Sequence, residues 1–92
     1  MQGTWFANEW GLYHTIFVQD STHLALDTHI DTMFFFSYTL EGDTLSLYRA
    51  YGQFVNQNVI LKLTQDSLVF ANLLDKIGVQ RYSRKRPEGW PE

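Results

Sequence analysis

Residues 34–47 read FFFSYTLEGDTLSL, and this stretch decides the fold class. Phe34, Phe36, Tyr38 and Leu40 recur at every second position, so in extended backbone they share one face. Glu41-Gly42-Asp43 then supplies a turn in which glycine accepts positive φ without steric cost, and Leu45 and Leu47 repeat the alternation on the way back. Two alternating runs joined in this way predict a β-hairpin.

Downstream, the return strand is expected to run on through Arg49 and Tyr51, turn at Gly52-Gln53 and re-enter over residues 54–64, where Val59, Leu61 and Leu63 alternate with Ile60 and Lys62. Gln65-Asp66-Ser67 is a compact polar turn, because an aspartate side chain can bond the backbone that follows it, and Leu68, Val69 and Phe70 read as another strand. Residues 72–76, with Leu73 and Leu74, form a loop or a single helical turn before a last strand over residues 78–85. Upstream, residues 13–18 and 23–28 are two strands joined by Gln19-Asp20-Ser21-Thr22, and residues 3–6 open the sheet.

No sustained 3.6-residue stripe appears, so the predicted class is all-β: an antiparallel up-and-down meander of seven or eight strands. An open sheet of that size would leave two edges able to recruit other chains, whereas a barrel removes them, and closure is therefore expected. Strands of this length enclose an interior that side chains nearly fill. Residues 1–86 form the single domain; residues 87–92 contain prolines at 87 and 91, which a central strand does not accept, and are expected to be an exposed tail.

The chain has 92 residues, enough for one core, and its 16% aromatic content supplies the side chains that bury most area. With a formal net charge of −3 it has no field to draw it onto nucleic acid. The absence of cysteine excludes disulfides and thiolate chemistry. The longest apolar run, residues 33–36, is far below the roughly 20 residues that cross a bilayer, and the first residues lack the pattern of a signal peptide.

Several segments resemble the small lipocalin-like proteins of bacterial cell envelopes. Gly3-Thr4-Trp5 is similar to the Gly-x-Trp signature that opens the first lipocalin strand, and residues 40–47, LEGDTLSL, resemble a hairpin common in the short relatives. Residues 61–70, LKLTQDSLVF, and the closing Tyr82-Ser83-Arg84 complete the series in the family's order. The resemblance implies an up-and-down barrel, exported or anchored at the cell envelope, that binds a small apolar ligand. It further implies that Trp5 closes one barrel end with Arg84 over its ring, an arrangement worth roughly 1 to 2 kcal/mol when desolvated.

The inward set expected from the alternation is Phe17, Phe34, Phe36, Tyr38, Leu47, Leu61, Phe70 and Tyr82. These side chains either line a small apolar pocket at a barrel mouth or simply fill the barrel. If Phe34 and Phe36 face inward, Phe35 faces outward and needs cover, from a second protomer, from the tail, or from Leu73 and Leu74. His23, Asp27, His29 and Asp31 would share a face of one uninterrupted strand, as a divalent metal requires, although polar outward positions give the same spacing.

No catalytic elbow, phosphate loop or His-Glu-x-x-His is present, so no enzymatic activity and no cofactor are expected. Asp20-Ser21 and Asp66-Ser67 read as turn chemistry. Arg81, Arg84, Lys85 and Arg86 read as a solvated terminal strand. The expected function is a noncatalytic binding module, and the alternative is a filled barrel that homo-oligomerises through exposed aromatics.

Overall fold

The computed structural model describes residues 1–9, 11, 13–28, 33–49, 52–74 and 78–88. Its elements are β1 (Gly3–Ala7), β2 (Thr15–Val18), β3 (His23–Asp27), β4 (Met33–Glu41), β5 (Thr44–Tyr48), β6 (Phe54–Leu63), β7 (Ser67–Phe70) and β8 (Gln80–Ser83). Each strand pairs antiparallel with the next, and β1 pairs with β8, so the meander closes into a barrel. The closing seam is short: Phe6 stands opposite Ser83 and Ala7 opposite Tyr82. The buried Tyr82 hydroxyl reinforces it by donating to the Tyr13 carbonyl on the β1–β2 connection, and burial in that seam raises the phenol pKa.

The central hairpin forms as its sequence requires. Gly42 and Asp43 alone connect β4 to β5, and Gly42 takes φ +60° at the first central position, which suits a two-residue hairpin turn. β5 ends at Tyr48, earlier than the alternation suggests, and the chain turns from Arg49, whose N–H donates to the Gln53 carbonyl at 2.8 Å. Tyr51 lies outside the described residues. The last strand is likewise shorter than the alternation suggests, and of residues 87–92 only 87 and 88 are described.

Two of the eight residues expected inside are outside. Phe17 pairs with Thr4 and Ala25 on the outer wall, while Ile16 and Val18 occupy the interior. β2 is only four residues long and apolar on both faces, so its rhythm alone has no preferred side. Leu61 is 56% exposed, and its neighbour Ile60 is 6% exposed. The register explains the inversion: Leu45 and Leu47 face inward, and they stand opposite Asn58 and Asn56. Two polar residues thus take the inner positions of β6, and a bulge between Ile60 and Lys62 leaves Leu61 unpaired.

The remaining inward positions are Phe34, Phe36, Tyr38, Leu47, Phe70 and Tyr82, with Phe34 only half-buried at the rim. Phe70 and Tyr82 meet edge to face at 5.9 Å between ring centroids. Leu73 is also fully buried and seals the core from the side of the β7–β8 connection. The central space left between Leu26, Leu47, Phe70 and Leu73 is about 10 Å³, no more than one water occupies. The middle of the barrel is therefore full.

Candidate functional site

The two ends of the barrel differ, and the difference follows from connection length. At one end the links are residues 19–22, 42–43 and 64–66; at the other they are residues 8–14, 28–32, 49–53 and 71–79. Short links leave little to cover the first end, and Trp5 plugs it. The indole is fully buried, and its Nε1–H donates to the Met1 carbonyl at 2.7 Å.

Arg84 lies over that plug with its guanidinium carbon 3.6 Å from the ring centroid. It is held there by two backbone acceptors, the Gln65 carbonyl at 3.2 Å from Nε and the Thr4 carbonyl at 3.3 Å from Nη1. The glycine at position 3 has a physical reason: its φ is +108°, and a Cβ there would lie 2.8 Å from Arg84 Nη1. Gly3, Trp5 and Arg84 are thus one unit, in which glycine makes room for the cation that covers the ring.

The same end holds His23. Its Nδ1 lies 3.2 Å from Asp20 Oδ1, and that oxygen also accepts the N–H groups of Thr22 and His23, each at 2.8 Å. These bonds, the Thr22 N–H foremost, bring the Asp20 carboxyl down to about 2. A lowered carboxyl stabilises the folded state above its unfolded value, and the contribution disappears as acid protonates the native form. Wild-type stability is therefore expected to drop between pH 3.8 and about 2 by more than that of Asp20→Asn, measured as thermal midpoints across this range. Equal acid profiles would mean that the turn does not need the charge.

Asp27 is four residues along β3 from His23, whose ring is engaged by its own turn, and His29 and Asp31 lie outside the described residues. Among the described residues no three metal-ligating side chains converge.

The long-linked end opens into a cavity of about 330 Å³. Its apolar wall comes from Phe34 and Phe36 of β4, Val55 of β6 and Leu74 of the β7–β8 connection. The two phenylalanine rings lie 6.5 Å apart, tilted by 31°. Tyr13, Arg49 and Asn56 supply the polar part of the lining. The volume sits at the low end of small-molecule pockets, and the composition, mostly apolar with a few polar groups, is what such pockets share.

Asn58 shapes this mouth. It is 2% exposed, its Oδ1 accepts the Leu74 N–H at 3.0 Å, and its Nδ2 donates to Asn56 Oδ1 at 3.2 Å. Leu74 carries φ +55°, the single non-glycine residue with positive φ among those described. A leucine held in that conformation costs of order 1 kcal/mol or more, and the buried Asn58 acceptor is what holds it.

Of the residues expected to line a pocket, Phe34 and Phe36 do so, while Tyr38, Leu47, Phe70 and Tyr82 belong to the packed barrel. Val55, Asn56, Arg49, Tyr13 and Leu74 line it without having been expected. Asn56 and Asn58 stand two residues apart in β6, on one face of an extended strand, and that spacing was the available signal. Phe35 does face outward, 65% exposed, and Leu73 and Leu74 turn to the interior and the mouth instead of covering it. No helix is long and apolar enough to cross a membrane among the described residues. Compared with family models, curated proteins and solved structures, the chain matches none of them.

Proposed function

We propose that this chain is a noncatalytic binding module of the lipocalin-like kind, which takes the apolar part of a small molecule into the mouth walled by Phe34, Phe36, Val55 and Leu74. The observation that carries the reading is the placement of the 330 Å³ cavity at the end opposite the Trp5 plug, above a barrel whose centre is already full. A filled barrel gives the mouth rigid walls, so little ordering cost falls on binding. The Gly3, Trp5 and Arg84 unit also fits the lipocalin resemblance of the sequence.

N-phenyl-1-naphthylamine, an uncharged apolar dye, tests this directly. Saturable fluorescence enhancement with one dye per chain is expected, weakened at least about tenfold in Val55→Trp, whose indole fills the mouth, with the melting temperature little changed. No saturable signal, or equal binding by the variant, rejects the reading.

A second reading has its own observation. Phe35 and Phe54 are 65% and 54% exposed, and Phe54 packs edge to face on Tyr48 at 5.8 Å. Phe17, Ala25 and Phe35 form one cross-strand row on the outer wall, with Ser37 and Tyr48 in the next. Aromatic surface of this kind is favourable to bury at roughly 25 cal/mol per Å², and a second copy of the chain would do so. Sedimentation equilibrium is expected to give a dimer that Phe35→Asp converts to a monomer; a monomeric wild type disposes of this reading.

A further inference from the structure

We propose that the ligand taken at this mouth is a small organic monoanion, a carboxylate on an apolar body, with Arg49 pairing its acid group. The inference rests on the binding reading above and adds the chemical class. Two groups of the lining carry it, one just past the end of β5 and one on the neighbouring β6. Arg49 is the only charged residue among the described residues that line the cavity, and it is a cation although the chain as a whole carries −3. Its guanidinium makes no hydrogen bond or ion pair to the described residues, whereas Arg84 spends its own on two carbonyls and an indole. A planar cation with five donors at the rim of an apolar cavity is complementary to a carboxylate.

The second group is the Asn56 amide, whose orientation is set from inside the barrel. The Leu74 N–H can only donate, so Asn58 must turn its Oδ1 towards it. That leaves Asn58 Nδ2 facing Asn56, which must answer with its own Oδ1. Asn56 therefore keeps its Nδ2 hydrogens for the cavity it lines. Both Arg49 and Asn56 thus present donors, and the described lining contains no carboxylate that would compete for them. A ligand head that only accepts hydrogen bonds and bears negative charge satisfies both, while its body lies against Phe34, Phe36 and Val55.

Displacement of bound N-phenyl-1-naphthylamine by octanoate and by 1-octanol separates this inference from the reading beneath it, since the two molecules share a body and differ in the head. At pH 7 octanoate is ionised, and it is expected to displace the dye at about tenfold lower concentration than octanol. Arg49→Gln, at an exposed rim position, is expected to bring octanoate to the octanol value while leaving octanol unchanged. Raising salt is expected to narrow the wild-type preference, since a rim charge is screened. A wild type that binds dye and octanol but prefers octanoate by less than twofold keeps the binding reading and overturns the monoanion. A preference that survives Arg49→Gln overturns the role given to Arg49. Failure of dye, octanol and octanoate alike rejects the binding reading, and the monoanion with it.

Discussion

Replacing Trp5 by alanine is expected to destabilise the protein by about 3 to 5 kcal/mol, the range for removing a large aromatic from a core. Three losses coincide at this position. The indole is fully buried, so its deletion opens a cavity at the barrel end. Its Nε1–H leaves the Met1 carbonyl, and the Arg84 guanidinium loses the ring 3.6 Å beneath it. Arg84→Ala leaves the indole in place but removes the cation over its face together with the bonds to the Gln65 and Thr4 carbonyls, and is expected to cost about 1 to 2 kcal/mol. Urea unfolding monitored by circular dichroism measures both. A Trp5→Ala loss below about 1 kcal/mol would mean that the barrel end does not depend on its plug.

The second large effect separates two neighbours on one strand. Ile60→Ala is expected to cost about 2 to 5 kcal/mol, and Leu61→Ala no more than about 0.5 kcal/mol. The side chains differ little in size, so hydrophobicity alone predicts similar losses for the two. What separates them is the side of the wall: Ile60 sits in the core cluster, and Leu61 sits at the bulge with more than half of its surface in solvent. The same urea titrations give both values. Equal losses, or a larger loss at Leu61, would place β6 in the opposite register and remove Asn56 and Asn58 from the interior.

Those two experiments address the two kinds of feature that this chain contains, one legible in its sequence and one not. Trp5 was legible because Gly3-Thr4-Trp5 and Arg84 stand near the two ends of the chain in a pattern with a known geometric use. The hairpin around Gly42 was legible because alternation and turn chemistry agree over consecutive residues. Phe35 was assigned correctly to the outer wall because Phe34 and Phe36 are tied by the same rhythm to Tyr38. In each case the deciding residues are neighbours, or the pattern spans few choices.

The candidate site was less legible, since its lining comes from four separate parts of the chain: Tyr13, the start of β4, Arg49 with Val55 and Asn56, and Leu74. Only Phe34 and Phe36 stood out beforehand. Arg49 read as a strand residue, and Leu74 as part of an undefined loop. Asn56 and Asn58 drew no expectation, and their function as an inward-facing amide pair appears only when Leu74 N–H is found 3.0 Å from Asn58 Oδ1.

The amino-acid sequence by itself determined the all-β class and a meander of seven or eight strands, because period-two alternation and turn residues are local properties; the plug of Trp5 and Arg84 was implied by the family resemblance. The tertiary structure alone decided which faces of β2 and β6 turn inward and where a ligand-sized space remains. A strand that is apolar on both sides has no preferred parity of its own. Its side is chosen by the register of hydrogen bonds to its neighbours, here Leu45 opposite Asn58 and Phe17 opposite Ala25, and the cavity is what those choices leave unfilled.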